Sequence, residues 1–361
     1  MRAIAAFPGS STPRLVDIPE PAAPGPGEVL CRTVELGLCG TDREILHSKA
    51  PEVPPGESFL VLGHECLGRV EAVGAGVTAL AVGDLVTPTV RRDRSKLPWR
   101  LDMQALGGHF TERGIMSQHG FSAPLWVDPQ QYLLKVDPKL RNVAVFAEPL
   151  SVCEKAINEA MLVQKGRLGP EDRSVTEPRV LVTGLGPIAF AGLIAAKARG
   201  WEVTVCGRDA HDTFRATLVE RLGGKYVAQN EIVFDIKDAE REGWDLILEC
   251  TGSDELYVAS SAALAARGVI VVIGATRSPA PANLNISNMM LNMFMRNNIH
   301  LGTVNSAARD FADALKHLGV FQETHSAALQ AMLTAHLPPE EALAHYTGRQ
   351  NQAIKTVVTY E

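Results

Sequence analysis

The chain has 361 residues, 46% of them hydrophobic and 21% charged, with a formal net charge of −6. That composition belongs to a folded protein long enough for two domains with substantial cores. A negative balance without a long basic cluster argues against nucleic acid as a partner.

The N-terminal stretch MRAIAAFPGSSTPRLVDIPEP holds no apolar core leading to a cleavage site, so no secretion signal is expected. No run of about 18 apolar residues suggests a membrane span. Six cysteines (Cys31, Cys39, Cys66, Cys153, Cys206 and Cys250) are scattered along the chain. They fit reduced thiols in a cytoplasm better than a disulfide framework.

In chain order, the first 150 or so residues read as short strands broken by Gly and Pro, as in GEVLCRTVELGLCG, HECLGRVEAVGAG and AVGDLVTPTV. The densest basic run, VRRDRSK (90–96), reads as a solvated loop. Residues 163–179 are polar and turn-rich and read as an exposed connection. The pattern then changes. RVLVTGLG, WEVTVCG, DLILECTG and GVIVVIGAT are apolar runs separated by helix-like segments, which indicates an α/β, doubly wound parallel sheet. After about residue 305 this rhythm stops, and the chain closes on an apparent strand, AIKTVVTYE, placed to return to the first domain's sheet.

Two groups of residues carry chemistry. TGLGPIAFAG (183–192) sets Gly184, Gly186 and Ala189 in a G-x-G-x-x-A pattern between a strand and a helix. There Gly184 permits the turn and Gly186 lets the backbone approach a pyrophosphate, with Leu185, Pro187 and Ile188 completing the cradle. The next strand ends at Gly207, Arg208 and Asp209. A small residue followed by Arg suits a 2′-phosphate and favours NADP, while Asp209 keeps NAD open.

The second group is Cys39 in LCGTDREI, His64 and Glu65 in GHECLG, and Glu148 in FAEPLSVCEKAI. Singly, Cys39 also reads as a core thiol, His64 as structural, and Glu148 as a carboxylate placed to favour a helix dipole. Together, one thiolate, one imidazole and two carboxylates suit a catalytic zinc. Asp42 reads as a scaffold for the turn after Cys39.

The ordered motifs CGTDREI, VLGHECLG, GDLVTPTVRR, GIMSQHGF, YLLKV and AEPLSVCEKAI, with the glycine turn, GTVN (302–305) and the terminal IKTVV, resemble the zinc-dependent medium-chain dehydrogenase/reductase superfamily. The likeness covers nearly the whole chain and is strongest to the glucose dehydrogenase branch. It implies a GroES-like β-rich catalytic domain over 1–157 and 306–361, a Rossmann domain over 158–305, and an active site in the cleft. It also implies zinc on Cys39, His64, Glu65 and Glu148, the last directly or through water.

By the same resemblance Thr41 passes the substrate proton onward. Thr251, Gly252, Thr303, Val304, Asn305 and Lys355 line the cofactor or cleft, and Glu112, Glu148 and Asn305 meet the substrate; ordinary turn and strand chemistry remains the alternative for the first six. The implied enzyme moves hydride between NADP(H), or NAD(H), and a sugar, cyclitol or other secondary alcohol, as a cytoplasmic homodimer or homotetramer.

Two departures from the family pattern stand out. The stretch RRDRSKLPWRLDMQALGGHFTERGI has no cysteine, so a structural zinc held by four cysteines is not expected. Trp99 and Leu101 would replace it by packing, with Asp102, His109 and Glu112 a weaker metal alternative. Val90 and Met295 stand where glucose dehydrogenases offer Asn and His to sugar hydroxyls, which counts against glucose itself. A zinc-free NADPH reductase of quinones or enones, or a non-catalytic nucleotide-binding protein, would share the fold; the retained Cys39, His64, Glu65 and Glu148 argue against both.

Overall fold

The computed structural model describes residues 1–93, 102–103, 110–232, 234, 243–274, 284–348 and 352–361. The elements that position the site are, in chain order, β1 (Glu28–Gly37), α1 (Gly40–Ser48), β2 (Glu65–Val73), α2 (Ala147–Leu168), β3 (Val180–Thr183), α3 (Pro187–Lys197), β4 (Val203–Gly207), α4 (Phe214–Arg221), β5 (Lys225–Ala228), β6 (Trp244–Glu249), β7 (Leu264–Val272), α5 (Ile286–Arg296), β8 (Ile299–Gly302) and β9 (Lys355–Thr359). No helix among the described residues is long and apolar enough to cross a membrane.

The chain divides into two units. The first comprises Met1–Ser151, Asn305–Gln322 and Leu329–Glu361, and the second Val152–Val304 and Glu323–Ala328. The first division falls after Ser151, within α2, where the family resemblance suggested 157.

The first unit is built on a seven-stranded sheet whose path runs Leu133–Val136, Leu85–Pro88, β2, β1, β9 and Leu333–Leu337, with Leu125–Pro129 paired to β1 off that path. β1 and β2 are antiparallel, with Gly37 opposite Glu65. β9 lies antiparallel on the other side of β1, with Val357 opposite Gly37. The closing strand therefore returns to the first sheet. Ile4, Val29, Leu36, Leu60, Val86, Phe121 and Val358 belong to one fully buried cluster beneath it. Removing those apolar surfaces from water is the main term holding the β unit together.

The second unit is a six-stranded parallel sheet in the order β5-β4-β3-β6-β7-β8. Its strands are continuous apolar runs because both faces are covered: Val180–Thr183 and Val203–Gly207 are buried at every position. The order reverses between β3 and β6, and ligands bind such sheets at the carboxyl ends of the strands beside that switch point.

Two sequence readings need correction. Residues 163–168 are the last turns of α2 and not part of a loop. Their polar character reflects an exposed helix end, held by Gln164, whose Nε2 donates to the Arg267 carbonyl at 2.9 Å. The run VRRDRSK is not solvated where it is described: Val90, Arg91 and Arg92 are buried. Arg92 pairs with Asp128, with Nη2 to Oδ2 at 2.5 Å, and Arg91 with Glu112. Trp99, Leu101 and His109 lie outside the described residues.

Candidate active site

Cys39 lies two residues after the end of β1 and caps the N-terminus of α1, while His64 immediately precedes β2 and Glu65 opens it. The β1–β2 register therefore brings residues 25 positions apart to one end of the sheet. One ligand atom from each of Cys39, His64 and Glu65 lies within 4.8 Å of the others. Glycine makes the approach possible. A Cβ on Gly37 would sit 2.2 Å from Glu65 Oε2, and Gly63, just before His64, has φ +92°.

The surroundings of these groups are acidic, with His64 and Glu65 buried and Cys39 and Glu148 half-buried. Burial, followed by the Glu65 carboxylate, pushes the Cys39 thiol up to about 12, with the Lys355 ammonium opposing. Burial likewise raises the Glu148 carboxyl to about 8, against the pull of His64. Asp42 accepts the Cys39 backbone N–H on Oδ2 at 2.9 Å, which is the scaffold role read from the sequence. Its Oδ1 lies 3.7 Å from His64 Nδ1, and neither atom has a hydrogen-bond partner among the described residues. A carboxylate behind an imidazole fixes the ring so that its other nitrogen faces a metal.

This donor set fits a divalent zinc. Thiolate, imidazole and carboxylate are its usual ligands, and a cation there would offset the cost of ionising several crowded acids. Glu148, in the first turn of α2, shares the electrostatic field of Cys39, His64 and Glu65. Lys355, read from the resemblance as lining the cofactor or cleft, lies beside Glu65. Its buried ammonium pairs with Glu65 Oε2 and donates to the Leu38 carbonyl at 3.2 Å. Thr41 lies in the first turn of α1, part-buried, and its hydroxyl has no partner among the described residues.

Glu112 and Asn305 meet in the first unit. Asn305 Nδ2 donates to Glu112 Oε1 at 2.7 Å, and the same oxygen receives Arg91 Nε at 3.0 Å. Asn305 adopts φ +61°, and its Oδ1 accepts the Ser306 N–H at 2.7 Å. The Ser306 hydroxyl lies 2.6 Å from that of Ser151, which donates to the Glu148 carbonyl at 2.6 Å. A continuous set of hydrogen bonds thus links Glu112 to the start of α2.

In the second unit the glycine turn lies at the switch point. Gly184, at φ +103°, ends β3 and donates its N–H to the Cys206 carbonyl at 2.7 Å. Gly186 caps α3 without a side-chain bond, Pro187 occupies the first turn, and a Cβ on Gly186 would meet nothing within 4 Å. Gly186 thus leaves room for a phosphate beside the N-terminus of α3, which fits a dinucleotide's pyrophosphate. At Gly207 a Cβ would lie 2.5 Å from Leu185 Cδ1, so Leu185 takes the volume a side chain would need. Arg208 beyond it is exposed and makes no hydrogen bond or ion pair among the described residues. Thr303 Oγ1 is buried without a partner among the described residues, and Val304 presents its carbonyl to the buried Lys155 ammonium at 2.8 Å.

Sequence reasoning missed Glu249 and did not foresee the partner of Asp209. The Glu249 carboxylate, 1% exposed, accepts the Thr251 N–H at 2.8 Å and the Gly252 N–H at 3.2 Å, so it shapes the loop carrying both. The signal was an acid at the end of an apolar strand, DLILE. Asp209 is taken up by Arg215 with two bonds of 2.9 Å.

Residues 25–137 match the alcohol dehydrogenase GroES-like domain, and residues 141–360 match the glucose dehydrogenase C-terminus. Glucose 1-dehydrogenase of Thermoproteus tenax is 35% identical over 342 residues, covering 94% of each chain. Glucose 1-dehydrogenase 1 of Caldivirga maquilingensis is 34% identical over 361 residues, covering 99% of this chain and 98% of its own. The solved Haloferax mediterranei glucose dehydrogenase, in complex with NADP, Zn and gluconolactone, superposes with a TM-score of 0.87 at 28% identity, over 100% of this chain and 99% of that one.

The class is then plain from both halves of the chain: an oxidoreductase that joins a GroES-like unit to a dinucleotide-binding sheet. More narrowly, the chain belongs to the zinc-dependent medium-chain dehydrogenase/reductase superfamily, in its glucose dehydrogenase branch, and is a zinc-containing dehydrogenase acting on CH–OH groups. The zinc-free reductase reading is not favoured.

Proposed function

We propose that this enzyme oxidises a sugar, cyclitol or related secondary alcohol with NADP, or reduces the matching carbonyl, using one zinc. The observation that carries the reading is the convergence of Cys39, His64 and Glu65, with Glu148 in the same field. Cys39, His64, Glu65 and Glu148 would hold the metal, with Lys355 paired to Glu65 beside them. Bound there, zinc supplies Lewis acidity toward the substrate oxygen and lowers the alcohol's pKa. NADP supplies the hydride acceptor.

The remaining steps belong to side chains. Thr41 Oγ1 accepts the hydroxyl proton as it gives up its own toward solvent. Glu112 offers Oε2, which takes no protein donor among the described residues, to a second substrate hydroxyl. Arg91 and Asn305 hold Oε1 and so fix the carboxylate's direction. Gly184, Leu185, Gly186, Pro187 and Ile188 bind the pyrophosphate. Gly207 and Arg208 take the 2′-phosphate, and Thr251, Gly252, Thr303, Val304 and Asn305 border the nicotinamide half.

Val90 and Met295 offer no hydroxyl partner, which favours a substrate less hydroxylated than glucose. A cytoplasmic homodimer or homotetramer is the proposed assembly. Metal analysis of the purified chain should give about one zinc, lost together with activity in Cys39→Ala; full activity in a metal-free preparation would sink the reading. A panel of aldoses, cyclitols and secondary alcohols, followed by NADPH absorbance, identifies the substrate. Arg208→Ala should weaken NADPH more than NADH, and an equal loss would remove Arg208 from the phosphate.

A further inference from the structure

We propose that Arg215 sets the enzyme's coenzyme choice, by clamping the one carboxylate at the tip of β4 that would otherwise accept the ribose hydroxyls of NAD. The proposal rests on the dinucleotide reading above and goes beyond it. In a sheet of this order, an acid just past the second strand accepts hydrogen bonds from an unphosphorylated ribose. Asp209 is the first acid past that strand, two residues after Gly207 ends β4.

Both of its oxygens are already committed. Arg215 Nε donates to Oδ2 and Arg215 Nη2 to Oδ1, each at 2.9 Å. The pair is largely withdrawn from water, with Asp209 13% and Arg215 25% exposed. A bidentate guanidinium–carboxylate pair is among the strongest side-chain hydrogen bonds, and its planar fork leaves the carboxylate little freedom to turn. Two further contacts hold the clamp in place. The Tyr226 hydroxyl donates to the Asp209 carbonyl at 2.5 Å, and Thr213 caps α4, the helix that carries Arg215, by accepting the Ala216 N–H at 3.4 Å.

Arg208 is left exposed beside this neutral pair with no partner of its own among the described residues. The ribose edge therefore meets one free positive charge and a silenced negative one. The acid that NAD binding needs is present and held back. Selection for NADP then has two parts, attraction by Arg208 and withdrawal of Asp209 by Arg215.

The test measures dissociation constants of NADPH and NADH on the zinc-loaded full chain, by the fluorescence of the reduced nicotinamide, and needs no substrate. Arg215→Leu should tighten NADH roughly tenfold, as a charged hydrogen bond to the ribose is gained, and weaken NADPH by at least as much, since a freed carboxylate repels its phosphate. Asp209→Asn should move the balance the other way, tightening NADPH as Arg215 becomes a second free guanidinium. Adding Asp209→Asn to Arg215→Leu should abolish the gain for NADH.

Movements of opposite sign for the two nucleotides are not produced by a merely loosened helix. Equal weakening of both by Arg215→Leu, or a roughly tenfold loss of NADH in Asp209→Asn with NADPH unmoved, overturns the proposal. If Arg215→Leu does not fold, Arg215→Lys, which keeps the charge and loses the fork, is read by the same opposite movement. Failure of the parent chain to bind either nucleotide overturns the dinucleotide reading itself.

Discussion

Gly37 shows how much of the metal site depends on an absent side chain. It ends β1 opposite Glu65, and the added Cβ of an alanine would lie 2.2 Å from Glu65 Oε2 and 3.2 Å from Glu65 Cβ. Neither neighbour can yield easily, because Glu65 is 1% exposed and paired with Lys355. Gly37→Ala should therefore lower stability by about 1–3 kcal/mol, the usual cost of overpacking. It should also weaken zinc. Denaturant titrations with and without metal separate the two effects, and unchanged zinc affinity would show that Glu65 is not a ligand. At this scale the sequence was informative about residue types and poor about partners. Cys39, His64 and Glu65 were legible from their motifs. The pairing of Glu65 with Lys355, 290 positions away, carries no local signal.

At the scale of elements, the parallel strands were legible because each is buried on both faces and reads as an apolar run. The buried arginines were not, since the partners of Arg91 and Arg92 lie 21 and 36 residues along the chain. The segment after the short strand Ser117–Gln118 supplies a pH-dependent contact. His119 Nδ1 accepts the Val61 N–H at 3.1 Å, and its ring stacks on Phe59 with centroids 5.4 Å apart. Burial holds the His119 pKa below its ordinary 6.5, with Glu57 pulling the other way. The folded state thus favours neutral imidazole. Its contribution is fully present above pH 6.5 and is lost as pH falls through the depressed folded value. His119→Gln, which cannot protonate, should flatten stability between about pH 7 and pH 5, as read by urea unfolding; an unchanged slope would assign the acid sensitivity elsewhere.

For the whole molecule, the convergence of Cys39, His64 and Glu65 was beyond sequence spacing, because the pairing of β1 with β2 brings them together. The glycine turn was readable because strand, turn and helix are consecutive. The same contrast governs assembly. Ile286, Met290, Leu291, Phe294 and Met295 on α5 are all exposed, an unusual share of large apolar side chains for one helix. Light scattering should report a dimer or tetramer, with Phe294→Ser shifting it toward monomer. A monomeric parent chain ends the oligomer proposal.

The place of β9 has a consequence for biosynthesis. Lys355–Thr359 pairs with β1, and the Leu38 N–H, next to Cys39, donates to the Thr356 carbonyl at 2.9 Å. A ribosome therefore releases the whole of the second unit before the first sheet can be completed. The nucleotide-binding sheet is free to fold while its neighbour still waits for a strand, since domains fold as units during synthesis. Cys39, His64 and Glu65 spend that interval without Lys355 beside them, so a nascent chain presents the proposed metal ligands to the cell before Lys355 can pair with Glu65.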